Sequence, residues 1–158
     1  MGRKTNLDKL KKAYAAWHEK KGDCLDVWRK LMAKNFKLAS ISEKTPGLAF
    51  AADRNSREES LKYLAGIFDE WEMLYYKPDT FVSEDDHVAV FGKCAYRYKK
   101  TGKEAHVRIA CLWRFKGDKL VEMTEIFDTA LAARATRPKA KKVRKRAEPA
   151  AAVAVAPA

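Results

Sequence analysis

The chain has 158 residues and a mass of 18.0 kDa, room for one domain. A composition of 47% hydrophobic and 34% charged residues excludes a chain that is fibrous or disordered throughout, and no apolar run approaches the ~20 residues of a membrane span. The net charge of +12 points to a polyanion as partner, but it is unevenly spread: from Arg134 onward eight Lys/Arg meet one acid, Glu148, a net +7 that leaves +5 on the body.

The first helix is predicted over residues 6–21, where Leu7, Leu10, Tyr14 and Trp17 make a helical stripe. Gly22 is a helix stop and Asp23 an N-cap for a second helix carrying Leu25, Trp28, Leu31 and Met32. Residues 36–41 alternate and read as a short strand. Residues 42–55 hold Pro46 and Gly47 and read as a loop with a buried segment at residues 48–51. Ser56 and Glu59 form a capping box that opens a third helix with Leu61, Leu64, Ile67 and Phe68 on its face.

After Trp71 the period changes to that of strands. Residues 71–82, 87–100, 104–115 and 119–129 read as successive antiparallel strands, with turns at Thr101-Gly102-Lys103 and Gly117-Asp118. Helices followed by a meander give an α+β fold, with three helices packed on one face of a curved sheet. On residues 104–115 the alternation sends Val107, Ile109, Cys111, Trp113 and Phe115 to the apolar face, and His106, Arg108 and Arg114 to the other. A domain over residues 1–133 is expected, then a disordered tail over 134–158 that is first basic and then rich in Ala and Pro.

Residues 1–12 are polar and lysine-rich, without the apolar stretch of a secretory leader. Three unpatterned cysteines, Cys24, Cys94 and Cys111, suggest neither a disulfide framework nor a zinc site, so a reducing cytoplasm is the expected location. His18, His87 and His106 have no metal-ligand spacing, and neither a metal nor another cofactor is expected.

Six motifs in order carry a resemblance: Tyr14-Ala-Ala-Trp17, Gly22-Asp23, Thr101-Gly102-Lys103, Trp113-Arg114-Phe115, Gly117-Asp118-Lys119-Leu120 and Phe127-Asp128-Thr129-Ala130. Over roughly residues 5–133 the chain resembles the SnoaL-like and ketosteroid-isomerase-like branch of the nuclear transport factor 2-like superfamily. The resemblance implies a conical α+β barrel, frequently dimeric, with a pocket between the helices and the concave sheet face.

Matched position by position, the ketosteroid isomerase tyrosine falls on Tyr14, the base on Ser40 and the second oxyanion donor on Cys111. Serine is no proton shuttle near neutral pH and cysteine is a weak donor, so the familiar steroid isomerisation is not expected. The acid/base aspartate of the SnoaL-type cyclases falls on Asp128. Two roles stay open for it: an acid or base with a raised pKa in an apolar pocket, or a partner for nearby backbone N–H groups or an arginine. The limonene-epoxide-hydrolase arrangement is not met, because Arg108 and Arg114 face away from the apolar side.

Trp17, Trp28, Phe36, Phe68, Trp71, Tyr75 and Trp113 form an aromatic core. The candidate site is therefore Asp128 and Tyr14 as catalytic groups, with Trp17, Trp28, Phe36, Ser40, Phe68, Cys111 and Trp113 lining a pocket for a small apolar molecule. The expected function is an acid/base isomerase, cyclase or hydratase. The alternative is a non-catalytic ligand-binding or dimerisation module. A homodimer is expected, with no membrane partner. Lys139, Lys141, Lys142, Arg144, Lys145 and Arg146 would add weak, non-specific contact with nucleic acid or another polyanion.

Overall fold

In helix α1 (Gly2–Glu19), Leu10, Ala13, Tyr14 and Trp17 recur at helical spacing and are all but fully buried, so one face carries the helix into the core. The structure, a computed structural model, describes residues 2–40, 45, 48 and 52–138. The chain leaves α1 through Gly22, whose N–H donates to Trp17 O at 3.0 Å and whose φ is +88°. Glycine is required there twice over. The backbone is left-handed, and an added Cβ would sit 2.0 Å from Cζ of Phe68, whose ring fills that space.

Helix α2 (Leu25–Leu31) buries Trp28 and passes directly into strand β1 (Met32–Ser40). Two expectations change here. Cys24 rather than Asp23 takes the N-cap position, without a side-chain cap, and Met32 opens the strand instead of closing the helix. The capping box forms as expected. Ser56 Oγ accepts from Glu59 N at 3.2 Å, and Glu59 Oε2 accepts from Asn55 N at 2.8 Å, which starts helix α3 (Arg57–Glu70).

Strands β2 (Trp71–Glu84), β3 (His87–Tyr98), β4 (Glu104–Lys116) and β5 (Lys119–Phe127) follow as an antiparallel meander. Strand β1 adds in parallel to β5, giving the order β1-β5-β4-β3-β2. The sheet is curved but open, with β1 and β2 as its edges, so the expected barrel does not close. Helix α1 packs on β2, α3 on β1, and the core lies between the helices and the concave face.

The last strand ends at Phe127, two residues earlier than expected, and helix α4 (Thr129–Thr136) replaces the expected loss of pattern. Residues 129–136 are half alanine, the best helix former, and Asp128 caps them. Ala132 and Ala133 bury against Leu48 and Phe127, while α4 packs on β4 and runs across the expected boundary at residue 133. Of the predicted segment at residues 48–51, Leu48 is buried and the others lie outside the described residues. No helix among the described residues is long and apolar enough to cross a membrane.

Candidate active site

Strand β4 alternates as its sequence dictates, with Ala105, Val107, Ile109, Cys111, Trp113 and Phe115 buried. Its neighbour β5 does not keep one phase. Phe115 pairs with Leu120 but Arg114 pairs with Glu122, so Val121 is an extra residue, a β-bulge. Beyond it Glu122 faces outward and accepts from Arg114 Nε at 2.9 Å, while Met123, Glu125 and Phe127 share the concave face. Glu125 stands opposite Ser40 on β1 and Cys111 on β4. The three form a row across the sheet floor with the carboxylate in the middle.

Glu125 is surrounded by aromatic rings, yet part of its surface is reached from an interior cavity, so it belongs to the cavity wall. Burial raises its pKa above the usual carboxylate value, and the hydrogen bond from the Tyr63 hydroxyl to Oε2 at 3.0 Å opposes that rise. Burial also holds the hydroxyls of Tyr14, Tyr63, Tyr76 and Tyr96 well above their ordinary pKa, so they stay neutral. Burial first, then the charge of Glu125, pushes the Cys111 thiol up to about 12. It is an inert thiol that meets the Tyr14 and Tyr76 hydroxyls.

The cavity has two lobes. One, about 70 Å³, lies among Tyr63, Trp71, Tyr76, Tyr96, Phe127 and Glu125. The other, about 50 Å³, lies among Tyr14, Trp17, Trp28, Trp113, Met123 and Glu125. Ile67, Tyr76, Tyr96 and Glu125 line both, so the carboxyl stands where the lobes meet. Trp28 stacks on Trp113 at 5.3 Å, and Tyr14 meets Trp28 edge-on at 5.5 Å. Contacts of this kind contribute about 0.5–1.5 kcal/mol each beyond the area they bury and hold the wall rigid.

The predicted site residues separate into two groups. Tyr14, Trp17, Trp28 and Trp113 line the second lobe. Cys111 and Ser40 flank Glu125, and Phe36 is a core residue stacked on Trp113 at 6.2 Å. Phe68 packs against Trp17 at 5.5 Å and over Gly22. Asp128 is not brought to Tyr14. Its Oδ1 accepts from Leu131 N at 3.0 Å, and the residue is exposed at a groove that includes Asp79, Lys93 and Arg108. Of its two open roles, binding backbone N–H is the one seen.

Tyr14 is engaged as well, since its hydroxyl accepts from Trp113 Nε1 at 2.8 Å. Tyr75 faces outward rather than into the core, because a register shift between Met73 and Tyr75 turns the phase of β2, and its hydroxyl meets His106 Nδ1 at 3.2 Å. His18 Nδ1 accepts from Tyr76 N at 3.3 Å. His87 opens β3 instead of lying in the preceding turn and pairs with Asp86 at 2.6 Å. No group of metal-ligating side chains occurs among the described residues. The basic residues Lys139, Lys141, Lys142, Arg144, Lys145 and Arg146 lie outside the described residues.

Sequence reasoning missed Glu125, Tyr63, Tyr76 and Tyr96. The alternation that starts at Val88 and Val90 reaches Cys94 and Tyr96, so Tyr96 was within reach of it. Glu125 was not, because its face depends on the bulge at Val121.

A sequence profile of the SnoaL-like domain matches residues 10–123. No curated protein matches the sequence significantly. Among solved structures, the chain is similar to a nuclear transport factor 2-like protein from Burkholderia thailandensis, at 23% identity and a TM-score of 0.74, over 87% of this chain and 100% of that one. One from Burkholderia xenovorans gives 22% and 0.71, over 87% and 99%. A protein with a ketosteroid isomerase-like fold from Catenulispora acidiphila, in complex with trimethylamine, gives 17% and 0.61, over 75% and 83%. The profile spans most of the chain and the same α+β architecture recurs in these structures, so the chain belongs to the SnoaL-like domain family.

Proposed function

We propose that this protein is an acid/base enzyme acting on a small apolar molecule, as an isomerase, cyclase or hydratase, with Glu125 as the proton carrier. One observation carries the reading: a single carboxyl stands at the junction of two aromatic lobes, with its pKa raised by burial. A general acid or base works best when its pKa approaches the working pH, and an apolar wall provides that shift. Tyr63 orients the carboxyl, and the neutral tyrosines keep the cavity free of competing charge. The SnoaL-like family and the ketosteroid isomerase-like neighbour support a small-molecule site of this kind.

The test is solvent-deuterium exchange into a panel of small apolar C–H acids (ketones, nitriles and nitroalkanes) followed by NMR. The wild type should catalyse exchange into at least one, and Glu125→Gln should lose it by about 10²–10⁴-fold with binding retained. Exchange that is unchanged in Glu125→Gln would overturn the proposal.

A second reading, a dimerisation module, rests on the convex face. Val82, Phe91, Leu112 and Ile126 are 45–56% exposed there. They are joined across the strands through Ala89 and Ala110 into one apolar strip. Lys93 and Arg108 pair across strands beside Asp79 and Asp128, so both signs flank the strip and a second copy can match it. We propose a homodimer through this face. The double variant Leu112→Lys, Ile126→Lys should sediment as a monomer, and a wild type that is monomeric at high micromolar concentration would refute it. Polyanion contact through the basic tail is a separate proposal: deletion of residues 137–158 should abolish retention on DNA at low salt, and unaltered retention would refute it.

A further inference from the structure

A groove of about 520 Å³ lies outside the cavity, where α1 meets the edge strand β2. It shares only the stacked Tyr14 and Tyr76 with the interior lobes. Asp79 is an extra residue between the pairs Pro78–Gly92 and Thr80–Phe91, a β-bulge. The bulge sets Phe81 opposite the buried Val90 and turns its ring inward, 6.2 Å from Tyr14, as the floor of the groove. Lys11 of α1, Lys77 of β2 and Lys93 of β3 stand round that floor, and among the described residues Asp79 is the one acid lining it. Lys77 and Lys93 are direct cross-strand partners, like charges whose juxtaposition costs stability. Arg97, on the same face of the sheet, is flanked instead by Glu72 and Glu104, each at 2.9 Å. Lys11, Lys77 and Lys93 make no ion pair among the described residues. Lys11 Nζ lies over the Phe81 ring at 5.2 Å and Lys77 Nζ over the Tyr75 ring at 5.7 Å. His18 Nδ1 accepts from Tyr76 N at 3.3 Å, which leaves Nε2–H as a donor at the groove.

We propose that this groove binds the phosphate monoester of a small apolar alcohol or phenol, independently of the chemistry at Glu125. The phosphate sits among Lys11, Lys77 and Lys93, and the apolar body lies on Phe81, Ala15 and Pro78. Three lysines against one aspartate leave a charge of +2 at the groove, which a phosphate dianion matches and a carboxylate matches by half. Lysines act as point charges and suit phosphate. The forked arginine that grips a carboxylate with two parallel bonds does not line the groove. Pro78 has no N–H, so an added protein strand would lack a donor at this point of the β2 edge. That favours a small ligand held by side chains over a peptide. The ester binds intact, and no bond forms or breaks.

Phenyl phosphate, inorganic phosphate and benzoate serve as probes, titrated into the ¹⁵N-labelled full chain at about pH 8, where the ester is a dianion. Phenyl phosphate should shift the amides of His18, Lys77 and Asp79 and leave Met123 and Ala132, at the interior lobes, in place. Lys11→Gln combined with Lys77→Gln should weaken it about fivefold. Raising the salt from about 0.05 to 0.5 M should weaken the wild type and affect the double variant less. Inorganic phosphate and benzoate should both bind more weakly than phenyl phosphate. Phe81→Ala should lose the preference for phenyl phosphate over inorganic phosphate. If that variant does not fold, the preference in the wild type decides alone. Shifts confined to the interior lobes or to residues 139–158, equal binding by wild type and the double lysine variant, or no binding at millimolar concentration overturns the proposal. Benzoate that binds more tightly than phenyl phosphate overturns the assignment of a phosphate, and inorganic phosphate that binds as tightly overturns that of an apolar body.

Discussion

Glu125→Gln should make the protein more stable, by an amount that grows with pH. Folding moves this carboxyl from water to an aromatic wall, and burial lifts its pKa above the model-compound value of 4.5. The folded state therefore holds the proton more tightly than the unfolded state. Stability is fully present below about pH 4.5 and falls as the pH rises, until the folded pKa is passed. Within that window each pH unit removes about 1.4 kcal/mol. Glutamine does not titrate, and its side-chain oxygen can still accept from Tyr63. The difference between variant and wild type should thus open above pH 4.5, widen at about 1.4 kcal/mol per pH unit, and level off at the folded pKa of Glu125. In a domain of this size 1 kcal/mol is about 2–4 °C in Tm. Urea titrations read by tryptophan fluorescence, repeated at close pH steps, measure the difference, and groups titrating elsewhere cancel from it. A difference that is flat with pH would refute burial as the source of the shift.

Tyr63→Phe removes the hydroxyl that favours the charged carboxylate. The acid limb of the deuterium-exchange profile should move to higher pH, and an unmoved limb would show that the 3.0 Å bond does not tune Glu125. Gly92→Ala places a Cβ 2.5 Å from Lys77 O and 2.6 Å from Pro78 Cα, both backbone atoms at the register shift of β2. It should cost about 1–3 kcal/mol in a urea titration, and a neutral result would mean that the two strands separate freely there. Asp128→Ala removes the α4 cap and should cost about 1 kcal/mol while leaving exchange unchanged. A fall in exchange without a fall in Tm would give Asp128 a role beyond the cap.

Much of the fold was legible because each signal was local. The Leu10–Tyr14–Trp17 stripe, the Ser56–Glu59 box and the β4 alternation from Val107 to Phe115 each lie within a dozen residues and need no knowledge of neighbours. The site was not legible, because it depends on phase between strands. Regular pairing from the turn at Gly117-Asp118 would set Glu122 beside Trp113 and turn Glu125 outward, whereas Val121 bulges and reverses both. Leu74 does the same on β2, bringing Tyr76 inward and sending Tyr75 out to His106. Asp128 entered the candidate site from its place in a motif, with an acid/base role and a backbone-binding role both open. Its geometry became clear only with α4, whose alanines look like tail composition until a cap and the Leu48 contact are seen.

The row Ser40–Glu125–Cys111 can be regarded as three seats for one carboxyl. Neighbouring strands stand about 4.8 Å apart, yet only the middle seat opens into the cavity, since Ser40 and Cys111 line neither lobe. The bulge at Val121 therefore sets how far along β5 the inward carboxyl stands: opposite Cys111 with the extra residue, opposite Trp113 without it. One inserted residue thus moves an acid along the cavity floor while every strand keeps its place in the sheet.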